Sequence, residues 1–290
     1  YKEDQDLPSQ FEVEKKRRLR QKFNKSTEMF SRLDKYSDSL KLLSAICASD
    51  HIPRNKRSKF YEEHFLREKQ MSEIGKLRKQ LTYIVKTHTM KERIAISANI
   101  SEEEMKLAKP AKKQVQAIKQ MIAAGFIDQI AFRQDVVDKD FKLTNNMKIM
   151  NVPYLTPAYI AENRCGEGDD AFNIYIHPSS IILKSGKAPQ YLVYSHLQKS
   201  ASAKTNKVRM LPLNDIGSAA LVNVGKSTGL ITFSKPLGKP VSAINSEGIE
   251  TRECHVVPRY GAQLSHNGGG VDLAPQSVAQ QKVCGAWETI

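Results

Sequence analysis

The sequence predicts an α+β fold, in which an N-terminal helical bundle is followed by a five-stranded β-barrel and a C-terminal extension. In the first half of the chain, apolar residues recur at helical spacing. The clearest such stripe is Ile74, Leu77, Leu81 and Ile84. In the second half, short β-branched and aromatic runs alternate with Gly, Pro, Ser and Lys, most clearly at 172–176, 191–197 and 208–210. This pattern is typical of a small antiparallel barrel or meander.

The composition indicates ordered domains rather than a disordered chain. The 290 residues suffice for one large or two to three small domains, and 40% of them are hydrophobic, which is enough to build cores. No apolar run approaches the roughly 20 residues of a membrane span, and the charged N-terminus does not resemble a signal peptide. We therefore expect no membrane partner. Because the chain begins without Met and in mid-pattern, we also expect it to be a fragment of a longer protein.

The positive charge is concentrated in the helical half. The formal net charge is +14, and residues 1–120 contain 28 Lys and Arg against 17 Asp and Glu. The other 170 residues contain 17 against 14. A basic helical half beside a β module favours a polyanionic partner, although a solvated Lys-rich surface would give the same composition. The strongest basic run, residues 12–25, is either a solvated helix or mobile insertion, or an RNA-backbone or nuclear-targeting patch.

Capping signals and prolines delimit the first helices. Ser37 is a candidate N-cap with an acidic residue after it, and the helix that follows ends before Pro53. The basic segment 54–59 is expected to be a loop. The amphipathic stripe then predicts a second helix over residues 61–85, whose apolar face is expected to lie in a core and whose basic face is expected to be solvated.

Five strands are expected in the β half, near residues 126–133, 148–152, 172–176, 191–197 and 207–211. Five short strands suit an oligonucleotide/oligosaccharide-binding (OB) barrel, which binds single-stranded nucleic acid through a basic groove and stacking side chains. The candidate groove cations, which would neutralise phosphates without reading sequence, are Lys199, Lys204, Lys207 and Arg209. Tyr191, Tyr194 and His196 are candidate stacking groups, although aromatic residues in such strands more often lie in the core.

Three motifs that could suggest other chemistry are rejected. Gly225-Lys226-Ser227-Thr228 ends like a phosphate-binding P-loop, but such a loop has a Gly five residues earlier, where this chain has Ala220. Cys254 and His255 are adjacent in the sequence, and adjacent residues rarely face each other as a catalytic dyad. The four Cys stand far apart, which argues against a zinc site and for reduced thiols in the cytosol or nucleus. A stand-alone hydrolase is therefore not expected.

Three segments of the helical half resemble the end of the ratchet helical bundle of DEAH-box RNA helicases. They are the pair Ser37-Asp38, residues 61–66 (YEEHFL) and residues 77–81 (LRKQL). The middle segment departs from the family pattern, which usually has Trp, Cys and Asn. This chain has Tyr61, Glu62 and His64 at those positions.

The β half resembles the same family. Residues 123–131 are similar to its passage into the OB barrel, and residues 177–180 (HPSS) to the end of a barrel strand near the RNA. Residues 230–237 are similar to the segment that follows the barrel. The extension, residues 127–129 and the long basic insertions most resemble the nucleolar DEAH-box helicases of small-subunit ribosome assembly.

The resemblance implies four regions. Residues 1–95 would be the ratchet-type helical domain, with a basic insertion at 11–30, and residues 96–125 a helical lead-in. Within the lead-in, Ser101 is a candidate N-cap, Pro110 ends or restarts a helix, and Gly125 closes it. Residues 126–240 would be the OB-fold domain and residues 241–290 the C-terminal extension.

The resemblance also implies a function within a longer enzyme. No Walker A, DEAH or arginine-finger pattern occurs here, so ATP and Mg²⁺ are expected on RecA-like motor domains outside these residues, and the fragment is not expected to be catalytic alone. It would grip single-stranded RNA, namely pre-rRNA and small nucleolar RNA, in the nucleus and nucleolus. It would also dock the motor domains and ribosome assembly cofactors. Ser179 and Ser180 carry over as RNA contacts. The alternative is a protein-docking module for assembly factors that does not bind RNA.

Overall fold

The computed structural model describes residues 10–89, 101–161, 172–199, 207–261 and 270–290. The chain divides into two compact units: one is Tyr1–Lys35 with Ser39–Ala111, and the other is Tyr36–Asp38 with Lys112–Ile290. The first is helical and the second contains the sheets, so the prediction of an α+β chain with its helices first is confirmed. None of the helices in the described ranges combines the length and apolar character that crossing a bilayer requires.

The helical unit begins with a long basic helix. Its helices are α1 (Gln10–Phe30), α2 (Asp38–Asp50), α3 (Arg54–Glu63), α4 (Glu68–Thr89) and α5 (Glu102–Met105). The C-terminal end of α1 packs on the unit through buried Ser26 and Phe30, and the Phe23 ring lies edge-on to Phe65 at 5.5 Å. The basic N-terminal part of α1 is exposed. Residues 12–25 are therefore helical, which both predicted roles of this basic run allow.

The predicted loop 54–59 is wrong, and the predicted helix 61–85 is confirmed over residues 68–85 in α4 but interrupted by a turn at residues 64–67. Residues 54–59 belong to α3, and the chain turns before α4 begins at Glu68. Phe65 has a φ of 58°, in the left-handed region that interrupts a helix, and the Leu66 N–H bonds back to the Tyr61 carbonyl at 2.8 Å. The His64 ring packs 5.4 Å from the Phe30 ring of α1, and its Nδ1 lies 2.9 Å from the Ser26 hydroxyl, so tertiary packing holds the turn.

The apolar stripe of α4 does not lie in a core of the unit, contrary to the prediction. Leu77, Leu81 and Ile84 are 53%, 50% and 49% exposed. Instead, Arg78 packs inward, donating to the Asp50 carboxylate at 2.6 Å and to the Met105 carbonyl at 3.2 Å. These partners come from α2 and α5, and helical periodicity cannot reveal them.

The short helix α5 has the N-cap that the sequence predicts. The Ser101 hydroxyl accepts the Glu104 N–H at 3.2 Å, and the Glu104 carboxylate accepts the Ser101 N–H at 2.8 Å, forming a capping box. Lys86 of α4 also bonds this carboxylate. The Lys86 bond, followed by the bonds from Ser101, lowers the pKa of Glu104 to about 2.

The second unit contains the predicted closed five-stranded barrel. Its strands are β1 (Ile130–Arg133), β2 (Tyr154–Leu155), β3 (Ile174–Ile176), β4 (Tyr191–Lys199) and β5 (Val208–Asp215). They close in the order β1-β2-β3-β5-β4, with β3 and β5 parallel and the other pairs antiparallel. A closed five-stranded barrel is consistent with an OB fold.

Two of the predicted strand positions differ from the structure. The predicted strand 148–152 is instead a 3₁₀ helix at Ile149–Asn151, and the second barrel strand is Tyr154–Leu155. That strand is fixed by non-local pairing, because Leu155 stands opposite Phe132 of β1. The predicted first strand, 126–133, begins only at Ile130, because the Gln129 N–H bonds to the Phe126 carbonyl and closes a turn.

The described part of the second unit also contains helices and two further sheets. The helices are α6 (Lys112–Gly125), α7 (Gln134–Val137), α8 (Pro157–Ala161) and α9 (Ser218–Gly225). One sheet has the order β10-β9-β6 and consists of β6 (Ile231–Phe233), β9 (Pro258–Tyr260) and β10 (Val271–Asp272). The other has the order β12-β11-β8-β7 and consists of β7 (Val241–Ile244), β8 (Glu250–Val256), β11 (Gln276–Val283) and β12 (Ala286–Thr289).

Alternate residues of the barrel strands build two different cores. Ala131, Ile176 and Met210 belong to a cluster that includes residues of all five strands and so fills the barrel. Ile130 and Phe132 face outward into a second cluster, which includes Leu221 of α9 and Tyr260 of β9. The C-terminal extension therefore shares a core with the outside of the barrel.

Replacing Gly225 with alanine is expected to destabilise the second unit by about 1–3 kcal/mol. Gly225 is buried at the end of α9, where an added Cβ would lie 2.7 Å from Cγ1 of Ile231 in β6. Urea denaturation would measure the loss. Gly75→Ala is the control: no atom lies within 4 Å of its Cβ position in α4, so it should stabilise by about 0.5–1 kcal/mol. Equal midpoints for Gly225→Ala and the unmodified chain would contradict the close approach.

Candidate nucleic-acid interface

The candidate interface is the outer face of the barrel where β3, β5 and β4 lie side by side. Parallel pairing places Tyr175 of β3 beside Arg209 of β5, and antiparallel pairing places Gln198 of β4 opposite Arg209. Because Ile176 and Met210 point into the barrel, their sequence neighbours Tyr175 and Arg209 point outward. A polar face therefore forms on three strands that are far apart in the sequence.

Two cations cover the Tyr175 ring on this face. Lys207 Nζ lies 4.2 Å from the ring centroid, and Arg209 Cζ lies 5.5 Å from it. Both distances are in the range of cation–π attraction. Lys207 Nζ also donates to Oδ1 of Asn151 at 3.4 Å, so the ammonium group is held next to the 3₁₀ helix that precedes β2. The arrangement fixes two positive charges side by side.

Arg209 also binds the barrel itself. Its Nη1 donates to the carbonyls of Met150 at 2.8 Å and Ile176 at 2.9 Å, which ties β5 to the 3₁₀ helix and to the end of β3. Burial lowers the pKa of Arg209, while Tyr175 acts in the opposite direction. An arginine in a protein stays protonated, so Arg209 contributes a positive charge in a fixed position.

The tetrapeptide 177–180 follows β3 and places its two serines differently. Ser179 is exposed, and its hydroxyl lies 2.7 Å from Nδ1 of His177. Ser180 is buried, and its hydroxyl accepts the Ile182 N–H at 3.3 Å, capping the 3₁₀ helix Ile181–Lys184. Burial, and then the charge of Arg209, lower the pKa of His177. His177 is therefore mainly neutral near pH 7 and adds little positive charge to this face.

The structure brings together only part of the predicted site. Lys207 and Arg209 share the outer face with Tyr175. Lys199 stands at the exposed end of β4 opposite Val208, whose side chain packs inward, so Lys199 faces away from Arg209. Lys204 lies outside the described residues. None of these positions is tested as an RNA contact, and all stay predictions.

The proposed stacking residues have different environments. Tyr191 and Tyr194 are buried in the two cores, in accord with the more common role of aromatic residues in such strands, whereas His196 is exposed. Tyr175 and Gln198 were missed by the sequence analysis. The alternation of Tyr175 with Ile174 and Ile176 could have identified it as an outward-facing residue, but its approach to Arg209 depends on the β3–β5 register.

No family model matches the chain. The probable ATP-dependent RNA helicase DHR1 of Saccharomyces cerevisiae is 42% identical over 281 residues, which are 96% of this chain and 21% of that protein. The chain is homologous to DEAH-box ATP-dependent RNA helicases. A putative ATP-dependent RNA helicase of Schizosaccharomyces pombe is 28% identical over 94% of the chain. The probable ATP-dependent RNA helicase DHX37 of Homo sapiens is 28% identical over 71% of it. The chain spans about a fifth of these helicases or less.

The structure shows the surroundings of the P-loop-like and Cys-His motifs in this helicase homologue. Gly225 ends α9, so Lys226, Ser227 and Thr228 follow a helix C-terminus, whereas a P-loop leads into a helix N-terminus. Cys254 is buried and bonds Gln280, whereas exposed His255 bonds Ser277. No cluster of three His, Cys, Asp or Glu side chains that could hold a metal ion occurs among the residues with a described position.

Proposed function

We propose that this chain is the C-terminal accessory part of a DEAH-box RNA helicase and that it grips single-stranded RNA. The observation that carries the proposal is the closed barrel whose outer face holds Lys207 and Arg209 against Tyr175. OB barrels bind single strands on such faces. The homology to ATP-dependent RNA helicases supports RNA as the ligand.

The chemistry of this face suits phosphate rather than base recognition. Lys207 is a point charge held beside Asn151, and Arg209 is tied to two carbonyls. The exposed Ser179 hydroxyl lies on the segment that follows β3. Contacts of this kind give affinity that depends on salt but not on sequence. A helicase that moves along its substrate needs this property, because every step presents a different base.

The rest of the proposed function concerns the longer protein. RecA-like motor domains in the same chain would bind ATP and Mg²⁺ and hydrolyse the nucleotide. The enzyme would act on pre-rRNA and small nucleolar RNA in the nucleolus, during 40S small-subunit assembly, with protein cofactors docked on it. The sequence resemblance to nucleolar DEAH-box helicases supports this part of the proposal.

Affinity for a single-stranded RNA is expected to fall as salt rises, and Lys207→Gln is expected to reduce the slope of log affinity against log salt by about one. Fluorescence anisotropy of a labelled oligouridylate would measure both. Lys113→Gln is the matched control, because Lys113 is an exposed lysine of α6 in the same unit. An affinity that does not change with salt would contradict the phosphate grip.

A protein-docking module without RNA binding is the second candidate. The exposed Leu77, Leu81 and Ile84 of α4 favour it, because contiguous apolar surface often marks a protein interface. Charge reversal at Lys204, Lys207 and Arg209 separates the candidates. If the triple variant binds RNA normally, the RNA grip is wrong; if it also no longer captures assembly factors, the docking function is correct and uses these cations as well.

A further inference from the structure

A second candidate site is formed by residues 226–236 together with the C-terminal extension, and it shares no lining residue with the Lys207–Arg209 face. It is a cleft of about 710 Å³ between the segment after α9, the turn after β6, and strands β8, β11 and β12. This volume is in the range of small-molecule sites. The rejected P-loop motif contributes Lys226 and Ser227 to its rim, and the single tryptophan of the chain, Trp287, lines it. The proposed function uses neither feature.

The wall of the cleft holds a guanidinium group stacked on an indole. Arg252 Cζ lies 4.1 Å from the centroid of the Trp287 ring. Arg252 Nε donates to Oε1 of Gln280 at 2.9 Å. Gln280 is buried, and its amide nitrogen donates to the Thr289 hydroxyl at 3.3 Å, so it cannot turn away from Arg252 without losing this bond. The guanidinium plane is therefore fixed before any ligand arrives.

The fixed arginine retains hydrogen-bonding capacity. Within the described residues, the structure records a bond from its Nε but none from its two terminal amino groups. These groups can donate to a phosphate or to the edge of a base. The Arg252 guanidinium also offers a flat surface on which a base can stack.

The charge of the cleft favours an anion. Lys226 and Lys235 are exposed on its rim, and with Arg252 they bring the number of cations that line the cleft to three. Glu288 is the acidic residue among the lining residues, and it alternates with Trp287 and Thr289 along β12. Its side chain therefore points to the other face of the sheet. A flat stacking surface and an excess of positive charge, three cations against Glu288, thus occur in one cleft.

We infer that this cleft binds one unpaired nucleotide of an RNA strand. The base stacks on the Arg252 guanidinium above Trp287, and Lys226 and Lys235 bind the flanking phosphates. An acidic peptide could pair its carboxylates with the lysines, but carboxylates do not stack on the guanidinium plane. A nucleotide can make both interactions and therefore fits the whole cleft better. The inference rests on the proposed function for its ligand class, but it places the contact at a second position with different residues.

Trp287 makes the site directly observable. Because it is the single tryptophan, its emission reports on this cleft and on no other part of the chain. Titration of the 290-residue chain with an oligouridylate of about ten nucleotides should quench the emission in a saturable way. A titration with a short polyglutamate peptide is run beside it. Quenching by the peptide and not by the RNA would overturn the inference.

Two variants test the stack and the charge separately. Arg252→Lys keeps the charge but removes the plane, and should weaken the quenching-detected affinity about tenfold. Lys226→Gln should lower the salt slope by about one. Lys239→Gln is the matched control, an exposed lysine of the same segment that does not line the cleft. If both cleft variants behave like the control, the inference is wrong.

The same experiment separates this inference from the proposed function. Labelled RNA that binds the chain by anisotropy while Trp287 emission stays constant would overturn the cleft site and leave the barrel grip standing. Labelled RNA that does not bind at all would overturn both. Quenching-detected affinity that falls in Arg252→Lys but is unchanged in Lys207→Gln would support two separate contacts.

Discussion

Replacing Tyr260 with alanine is expected to destabilise the barrel unit by about 3–5 kcal/mol, because it removes a large buried aromatic side chain. Tyr260 is 1% exposed and packs against Phe132 of β1, with their ring centroids 5.2 Å apart. Its hydroxyl donates to the Ile127 carbonyl in the turn before β1. A residue of the C-terminal extension therefore holds the first strand of the barrel in place.

Urea denaturation followed by circular dichroism would measure this loss as a shift of the unfolding midpoint. Tyr260→Phe is the matched control, because it keeps the ring and removes only the hydroxyl, at a cost of about 1 kcal/mol. A midpoint for Tyr260→Ala no lower than that of Tyr260→Phe would show that the ring does not support the barrel. The burial of Tyr260 also raises the pKa of its hydroxyl, in keeping with a neutral donor.

The position of Tyr260 affects how the predicted regions can be separated. The boundary between an OB domain at 126–240 and an extension at 241–290 stays a prediction. Yet Tyr260, Val271 and Leu273 share one core with Phe132 and Leu221. Truncating the chain at the predicted boundary would expose this apolar surface to water, so the extension is expected to be required for a stable barrel.

The sequence predicted those barrel strands whose own residues favour β structure. The β-branched and aromatic runs identified β3, β4 and β5, because a strand buried on one or both faces needs such side chains. The two-residue strand Tyr154–Leu155 was missed, since so short a run has no periodicity to detect. Its place is determined by pairing with β1 and β3, which are distant in the sequence.

The helices show the limit of periodicity in another way. The stripe of Leu77, Leu81 and Ile84 correctly indicated an amphipathic helix, but the helix presents these residues to solvent within this chain. Periodicity shows that one face is apolar and not which surface covers it. Likewise, the chain reverses at Phe65 because His64 packs against Phe30 and Ser26 of α1, although the local sequence is compatible with a helix.

The candidate site was predictable in composition and not in geometry. Lys207 and Arg209 stood out as cations in a β region, but their approach to Tyr175 follows from the parallel β3–β5 register. The cleft beside Trp287 was not predictable either, because Arg252, Gln280 and Lys226 meet there only through two sheet pairings and the end of α9. Non-local register is the information that a single sequence lacks.

Asp38 also makes contacts that a single sequence does not reveal. Its replacement by alanine is expected to lower the free energy of unfolding by about 3 kcal/mol or more. Asp38 is 4% exposed at the start of α2. Its carboxylate accepts the backbone N–H of Ile181 at 3.0 Å and that of Leu213 at 3.1 Å. The sequence suggested a residue that favours a helix N-terminus, but in the structure it also joins two segments of the barrel unit.

Alanine at position 38 leaves two buried N–H groups without these acceptors, which is the reason for the large expected loss. The stability of Asp38→Asn should lie between that of the unmodified chain and that of Asp38→Ala, because the amide keeps one acceptor oxygen and turns a donor toward the other N–H. The exposed Asp140→Ala is the control and should change stability by less than about 0.5 kcal/mol. Urea midpoints of the three variants give the comparison. If Asp38→Ala matched Asp140→Ala, the carboxylate would not be what joins Ile181 and Leu213.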